Sequence, residues 1–336
     1  MIRAALIGFG GIAKSHRRAF RMLEESGLAK LVCAYDVNPE AFTRNTKINN
    51  DSADVLPEEH INYYTNLDEM IKNESFELVD ICIPSYLHKE MTIRMLNHGY
   101  HVMCEKPMSL SYADSMDMVR AAKENGKELM IGQCVRFYPA FEFVKETIDD
   151  GRFGKVTSAH LQRLSAPPTW GWENWFLRPE CSGGCLTDMH IHDVDLARYL
   201  FGEPDAVRCM AHSSVSIHDS AHTTLKYGDM PITIIGDWEL SGFRFAAISR
   251  ISFERATVVY DTKTLTVYPK DGTEPYEVDA PLVSSQYNEL SYLINIINSG
   301  KENTKNPPES AAKSVRVIEL LRESIANGGE FVRFEG

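Results

Sequence analysis

Short apolar runs alternate with helical patterns along the chain as far as Cys134. The first run is Ala4–Ile7, and a helical pattern follows from Ile12 to about Glu25. The strand-like segments that follow are "AKLVCAYD", "FELVDICIP", "YHVMCEKP" and "KELMIGQC". The helical segments among them are "LHKEMTIRMLNHG" and "SYADSMDMVRAAKENG". Strands that alternate with helices predict an α/β domain with a parallel, doubly wound sheet.

From about Val156 the pattern becomes strand-like and β-branched with few helices. The segments are "VTSAHLQRLS", "DAVRCMAHSSVSI", "AHTTLKY", "PITIIGDWEL", "FAAISRISFE" and "ATVVYD". They predict a broad, open, mostly antiparallel sheet with a helix over 188–201 against one side, and two closing helices at Gln286–Asn298 and Pro308–Asn327. We therefore expect one domain over 1–130 and a second α+β domain over 131–336, whose last helix is able to pack back on the first.

The first apolar run leads into a glycine-rich turn. Gly8, Gly10 and Ala13 form a G-x-G-x-x-A pattern before a helix. The first glycine permits a tight turn, the second lets the backbone approach a pyrophosphate, and the helix N-terminus favours phosphate. The stretch Gly8, Phe9, Gly10, Gly11 and Ile12 is therefore a candidate dinucleotide site, the alternative being a glycine turn that binds no nucleotide.

Asp36 ends the second strand-like run, about 20 residues beyond the glycine motif. An acidic side chain at this place can accept hydrogen bonds from both hydroxyls of an adenosine ribose. Because a carboxylate there repels a 2′-phosphate, the sequence favours NAD over NADP.

Composition excludes several classes of partner. The chain has 336 residues, 43% of them hydrophobic, and a formal net charge of −12, which argues against general binding to nucleic acid or anionic membranes. No apolar stretch approaches the ~20 residues that span a bilayer, and no signal peptide is expected because Ala4 already lies in a strand. An odd number of scattered cysteines, seven in all, predicts reduced thiols in a cytoplasmic protein. A broad sheet with a second face to cover predicts self-association into a homodimer or homotetramer.

Two polar segments follow apolar strands of the first domain. Ligands of doubly wound sheets bind beyond the carboxyl ends of the strands, which places Pro84–His88 and Glu105–Pro107 beside the glycine turn. Lys106 at such a crevice can stabilise a developing negative charge on a substrate oxygen. The alternative is a solvated Glu105–Lys106 pair at a strand end.

The segment "SGGCLTDMHIHDVDLARYLFG" carries acids and a histidine at helical spacing. On one continuous helix Asp188, His192 and Asp195 lie within about 60° of one another, and Tyr199 extends the stripe. His192 is suited to act as a general base with Asp188 orienting it, and the alternative is a hydrogen-bonded core histidine. A second alternative is zinc bound by Cys181, Cys185, His190 and His192, but the spacing is unlike that of structural zinc sites, and we expect no metal.

Tryptophans and an arginine cluster in "PPTWGWENWFLRP". Trp170, Trp172 and Trp175 offer faces on which the C–H groups of a sugar can pack, and Arg178 can bind hydroxyls or a carboxylate. Trp175 is the candidate for substrate binding. Packing within the protein or against another subunit is the alternative.

Five segments together resemble the glucose–fructose oxidoreductase, inositol dehydrogenase and rhizopine-catabolism family, Gfo/Idh/MocA. They are "GFGGIAKSH", "ICIPSYLHKEM", "GYHVMCEKPMSLSYADSMDMV", "RFYPAFEFVKETIDDGRFGKV" and "SGGCLTDMHIHDVDLARYLFGEP", in this order over nearly the whole chain. The resemblance implies a Rossmann domain joined to an open-sheet domain, and oxidation or reduction of sugars or cyclitols with NAD(P).

The resemblance also implies roles for single residues. Lys106 matches the lysine of the family's E-K-P, and Asp188 and His192 match its D-x-x-x-H, so these three are the implied catalytic and substrate-binding set. Arg136 matches a basic residue that the family often has where its domains meet, and is implied to bind substrate. The residues implied to line the nicotinamide and its ribose are Pro84, Ser85, Leu87, His88, Glu105 and Lys106.

The implied mechanism is hydride transfer. His192 takes the proton of a secondary alcohol as hydride leaves for nicotinamide C4, Lys106 stabilises the alkoxide-like oxygen, and Asp188 fixes the geometry. The sequence departs from the family in Ile83-Pro84-Ser85 where many members have T-P-N, and in His190 where many have glycine. The alternatives are an NAD-dependent glycosidase that oxidises the ring transiently, and a sensor that binds dinucleotide without catalysis.

Overall fold

The computed structural model of the chain describes residues 1–43 and 60–335. In chain order the strands are β1 (Ile2–Ile7), β2 (Ala29–Tyr35), β3 (Asn62–Tyr64), β4 (Leu78–Ile81), β5 (His101–Cys104), β6 (Leu129–Ile131), β7 (Val156–Leu164), β8 (Ala206–His212), β9 (Ser220–Tyr227), β10 (Met230–Asp237), β11 (Ala246–Phe253), β12 (Ala256–Asp261), β13 (Thr264–Pro269), β14 (Tyr276–Val278) and β15 (Val332–Arg333). The α-helices are α1 (Ala13–Glu25), α2 (Leu67–Asn73), α3 (His88–Asn97), α4 (Tyr112–Asn125), α5 (Pro139–Asp150), α6 (Pro179–Ser182), α7 (Gly184–Asp188), α8 (Ile191–Phe201), α9 (Ser285–Ser299) and α10 (Pro308–Ala326).

The N-terminal unit is built on a parallel sheet. Its strands run in the order β3-β2-β1-β4-β5-β6, and every neighbouring pair is parallel. Strands buried on both faces read as continuous apolar runs, and Ala4–Ile7 of β1 are fully buried accordingly. The predicted doubly wound sheet is confirmed, and its strand order reverses beside β1, where such sheets bind ligands.

The N-terminal unit also contains chain from far along the sequence. It comprises Met1–Cys134 together with Trp170–Trp175 and Ser284–Ala312. Within it α9 packs against α1, whose buried face includes Ala19, Phe20 and Leu23. Helix α9 thus supplies part of the cover of α1, and the division into domains over 1–130 and 131–336 stays a prediction.

The C-terminal unit, formed by Val135–Thr169, Phe176–Val283 and the chain from Lys313 onward, contains a nine-stranded sheet. The strand order is β14-β13-β12-β11-β7-β10-β9-β8-β15, antiparallel except for the parallel pair β7 and β10. Alternate residues of β7, namely Ala159, Leu161 and Arg163, are buried. Both α7 and α8 pack on this sheet, so the predicted broad and mostly antiparallel sheet is confirmed.

The helix expected over 188–201 is two helices, and the single-helix prediction is wrong. Asp188 ends α7 and His192 lies in the first turn of α8. At the junction the N–H of His190 donates to the carbonyl of Cys185, five residues back, because the side chain of His190 is drawn into the sheet, where its Nε2 lies 2.8 Å from Thr223 Oγ1. The regular 100° spacing therefore does not carry across from Asp188 to His192.

Across the described ranges, 1–43 and 60–335, no helix combines the length and apolar character needed to cross a membrane.

Candidate active site

The glycine turn after β1 has the geometry that its sequence predicts. Gly8 has a φ of 90°, and a Cβ there would lie 2.5 Å from the carbonyl oxygen of Cys82, so only glycine fits. At Gly10 a Cβ would meet no atom within 4 Å, which leaves this part of the backbone open to a ligand. The turn is held by Asp36, whose Oδ2 accepts the N–H of Phe9 at 2.8 Å.

The start of α1 fits a phosphate group. Its N-cap, Ile12, makes no side-chain hydrogen bond to the first turn, and that turn carries no acidic residue. Ser85 follows β4 on the same edge of the sheet, and it is only 2% exposed. Its hydroxyl has no hydrogen-bond partner within the described part of the chain. An open turn, an uncapped helix start and a buried hydroxyl with bonding capacity suit a dinucleotide at this edge.

His88 ties together the loops that follow β4 and β5. Its Nδ1 lies 2.7 Å from the carbonyl oxygen of Pro107, and its Nε2 lies 2.9 Å from that of Ile83. Burial lowers the pKa of this imidazole, and the hydrogen bonds to the two carbonyls oppose the shift. Because both ring nitrogens face carbonyl oxygens inside the protein, His88 links the two loops. Direct contact of Pro84, Leu87 and His88 with a cofactor stays a prediction.

Glu105 points into the protein and is 6% exposed. Its Oε1 lies 2.8 Å from Nε2 of His16, and its Oε2 accepts the backbone N–H of Lys106 at 3.1 Å. Burial acts to raise the pKa of Glu105, but the hydrogen bond and charge of His16 and the charge of Lys106 outweigh it and the pKa is lowered. Glu105 is therefore an ionised anchor beneath Lys106, which is half-buried.

Sequence reasoning missed the buried cluster of titratable residues around Glu105. His16 on α1, Asp80 on β4 and Glu289 on α9 are all fully buried. The available signals were an aspartate inside the apolar run "LVDI" and a histidine on the apolar face of α1, since buried charges need partners. The sequence carries no signal for Glu289, because nothing in it indicates that α9 packs against α1.

In the C-terminal unit, two buried ion pairs hold the first turns of α8. Arg163 of β7 contacts Asp193 at 2.8 and 3.1 Å, and Arg136 contacts Asp195 at 2.7 and 2.6 Å. Ser314 also donates to Asp195, at 2.7 Å. Asp193 and Asp195 follow closely after His192 in the sequence, so these ion pairs fix the helix that carries His192.

Asp188, His192 and Arg136, the predicted site residues of the C-terminal unit, occupy different environments. Asp188 is 8% exposed and His192 is half-buried. The Arg136 guanidinium is 2% exposed and donates to Asp195, so binding of substrate by Arg136 stays a prediction. The N-terminal unit and the C-terminal unit each present part of the predicted set, Lys106 in the first and Asp188 and His192 in the second.

The structure shows the environment of His190, whose role the sequence does not predict. It is fully buried, and burial lowers its pKa to about 3, so the ring is neutral. A Cβ at residue 236 would lie 2.6 Å from its Nδ1, which explains why that position on β10 is glycine. The side chain of His190 packs on β10 in the space that the missing side chain of Gly236 leaves.

Groups that could hold a metal occur at one place within the described residues. His16 with Asp80 and Cys82, and His16 with Glu105 and Glu289, have ligand atoms within 4.8 Å of one another. In the same part of the chain, the alternative set of Cys181, Cys185, His190 and His192 forms no such group. All seven cysteines are free thiols.

Of the tryptophan segment, Trp170–Trp175 belong to the N-terminal unit. Trp175 is half-buried, whereas Trp172 is 48% exposed. Arg178, in the C-terminal unit, donates to Glu180 at 3.0 Å. Binding of substrate by Trp175 stays a prediction.

Strand order, glycine turn and the acid after β2 define a dinucleotide-binding Rossmann domain, and an open-sheet domain accompanies it. Two family models match the chain: the oxidoreductase family with NAD-binding Rossmann fold over residues 2–133, and the GFO/IDH/MocA C-terminal domain over residues 141–265. The chain belongs to the Gfo/Idh/MocA family of oxidoreductases, and the resemblance seen in the sequence is confirmed.

Individual relatives differ in activity. The chain is 33% identical over 225 residues to the 2,7-anhydro-N-acetylneuraminate hydratase of Escherichia coli, covering 63% of this chain and 54% of the relative. It is 27% identical over 272 residues to the scyllo-inositol 2-dehydrogenase (NADP+) of Bacillus subtilis, covering 78% and 82%. The chain spans about half the length of the first curated relatives that it matches.

A solved structure shares the fold over the entire chain. The levoglucosan dehydrogenase complex with NADH and levoglucosan superposes with a TM-score of 0.85 and covers 100% of both chains, at 20% sequence identity.

Proposed function

We propose that this protein is an NAD-dependent oxidoreductase that transfers hydride between nicotinamide and a secondary hydroxyl of a sugar, sugar derivative or cyclitol. The observation that carries the proposal is the place of Lys106. It directly follows the anchored Glu105 beyond the end of β5, on the same sheet edge as the glycine turn. An ammonium at that edge suits a reaction that develops negative charge on an oxygen.

The roles of the protein's residues follow from their chemistry. His192 accepts the hydroxyl proton as general base, and Asp188 orients its imidazole. Lys106 hydrogen-bonds the same oxygen and stabilises its negative charge as the carbonyl forms. When bound, the nicotinamide accepts the hydride, and it supplies one in the reducing direction. In that direction His192 returns the proton.

The proposal assigns NAD rather than NADP because of Asp36. Its two oxygens already accept N–H groups of Phe9 and Asn38, at 2.8 Å each, so the carboxylate is held in place after β2. A fixed negative charge there disfavours a 2′-phosphate. One relative is named for NADP+, so cofactor choice within the family needs a direct measurement.

The test is a panel of sugars, anhydro sugars and inositols with NAD or NADP, followed by the absorbance of the reduced cofactor. We expect NADH formation with at least one cyclic polyol. Lys106→Ala and His192→Ala are expected to abolish turnover while NAD binding, measured by calorimetry, stays nearly intact. Lys123→Ala and His98→Ala change exposed residues of the same types and serve as controls. Full activity in either site variant would overturn the assigned roles.

A second candidate function is a reaction without net redox change. The observation that favours it is the 33% identity to a hydratase of an anhydro sugar. In such a reaction the ring is oxidised transiently, a C–O bond is broken by elimination or hydrolysis, and the ring is reduced again by the same cofactor. The glycosidase alternative belongs to this class. Consumption of an anhydro sugar or glycoside without accumulation of NADH would favour it over the simple dehydrogenase.

The proposal includes a homo-oligomer that uses the second face of the nine-stranded sheet. Residues such as Arg208, Met210 and His222 lie exposed on that face. Light scattering after gel filtration tests it: a mass of one 38.0 kDa chain at working concentrations would contradict the prediction.

A further inference from the structure

A buried histidine lies between two carboxylates in the N-terminal unit. Nδ1 of His16 is 2.7 Å from Oδ2 of Asp80, and Nε2 is 2.8 Å from Oε1 of Glu105. Ionised carboxylates only accept hydrogen bonds, so each ring nitrogen must donate one. The imidazolium is the form of histidine that has both N–H groups, and it also balances the two buried charges.

Four titratable groups from neighbouring elements lie near this ring. Asp80 and Cys82 come from β4 and its end, Glu105 from the end of β5, and Glu289 from α9. Burial alone lowers the pKa of His16, but the Asp80 carboxylate and Cys82 together outweigh it, and the pKa is raised well above its ordinary value. For Asp80, burial raises the pKa of the carboxyl group, and the imidazole of His16 opposes that shift.

Glu289 is the unusual member of the cluster. It is 0% exposed, and neither of its carboxyl oxygens has a hydrogen-bond partner among the described residues. Its ligand atom and those of His16 and Glu105 lie within 4.8 Å of one another. An ionised Glu289 would add a negative charge that no partner compensates, and burial with the nearby Glu105 raises its pKa well above the ordinary value. Complete burial without a hydrogen-bond partner therefore favours the neutral carboxylic acid at Glu289.

The side chain of Glu105 links this cluster to Lys106. Oε1 of Glu105 faces His16, and Oε2 accepts the backbone N–H of Lys106. Behind it, a Cβ at Gly132 would lie 3.3 Å from the Glu105 carboxyl group, so the glycine leaves room for this orientation. Any change in the ring of His16 therefore shifts the group that fixes the backbone of Lys106.

We propose that His16 is a positioning residue for Lys106, acting as an imidazolium held between Asp80 and Glu105 under the cover of a neutral Glu289. The inference rests on the proposed function for the role of Lys106. It connects the helix behind the glycine turn, through a single ring, to the residue that carries the catalytic ammonium.

The kinetic test compares His16→Gln with His98→Gln, a change at an exposed histidine of the same unit. Glutamine keeps an N–H donor but lacks the positive charge. We expect kcat to fall about 10- to 100-fold, as small misplacements of a catalytic group do, while the NAD dissociation constant changes by less than about threefold. The kcat–pH profile should also change shape, which simple loss of packing does not cause. A folded His16→Gln protein with full kcat and the wild-type profile would overturn the proposal.

The second test needs no turnover. In the full-length protein with NAD bound and ¹⁵N-labelled histidine, the signal that His16→Gln removes should show both ring nitrogens protonated at neutral pH. With ¹⁵N-lysine, His16→Gln should shift the backbone amide of Lys106 and His98→Gln should not. A neutral ring, an unshifted Lys106 amide, or stoichiometric divalent metal in the purified protein would each contradict the inference. If wild type turns over no polyol but these signals appear, it is the proposed function that fails.

Discussion

Replacing Glu289 with glutamine should make the protein more stable at neutral and alkaline pH. In the unfolded chain this carboxyl ionises near its ordinary pKa of 4.5, whereas in the folded protein burial and Glu105 hold the proton to much higher pH. Between these two values the folded state binds one more proton than the unfolded state. The free energy of unfolding therefore falls as pH rises, by about 1.4 kcal/mol per pH unit for this one group.

The amide of Glu289→Gln is neutral in both states, so the variant loses this dependence. As long as the folded wild type keeps the proton, the difference between variant and wild type should grow by about 2.7 kcal/mol from pH 5 to pH 7. The measurement is urea unfolding followed by far-ultraviolet circular dichroism at a series of pH values. Glu302→Gln, which removes an exposed carboxyl, is the matched control and should show no such slope.

The result that would refute the reasoning is a stability difference that does not vary with pH. It would mean that Glu289 ionises alike in both states, and that a cation or an unseen partner compensates its charge inside the cluster. A variant that loses stability at every pH would point the same way, because glutamine would then have removed a paired carboxylate.

Three further predictions concern other parts of the molecule. Asp36→Ala should weaken NAD binding and relax selection against NADP, since it removes both a fixed charge and the partner of the Phe9 N–H; an unchanged ratio of the two dissociation constants would count against this. Asp193→Ala leaves buried Arg163 without its carboxylate and should lower the free energy of unfolding by about 3–5 kcal/mol, measured by urea titration. Gly8→Ala brings a Cβ against the carbonyl of Cys82 and should abolish NAD binding detected by calorimetry; retained affinity would mean that the turn can open.

Local periodicity was sufficient to predict the first sheet. The Ala4–Ile7 part of β1 is buried on both faces and so is continuously apolar, and the glycine that follows it, Gly8, is required by backbone geometry. The alternating burial of β7 likewise follows from its sequence. These elements depend on neighbours in the chain, which is why a single sequence predicts them.

The features that sequence reasoning missed depend on distant contacts. The helix breaks between Asp188 and His192 because the side chain of His190 enters the sheet. There it contacts Thr223, which is 33 residues further along the chain. The ion pair of Arg163 with Asp193 requires knowledge of which strand lies under α8. Lys106 is predicted from its place at a strand end, Asp188 and His192 from helical spacing, and all three from the family motifs; their shared role remains a prediction.

The membership of α9 in the N-terminal unit has a consequence for protein synthesis. Since α1 is covered by a helix that begins at Ser285, a ribosome has made most of the polypeptide before the nucleotide-binding half can close. A fragment that ends at Cys134 would lack the helix that packs against α1, and with it Glu289. Maturation of this half therefore waits for the late part of translation, and shortened transcripts should yield aggregating chains instead of a working cofactor domain.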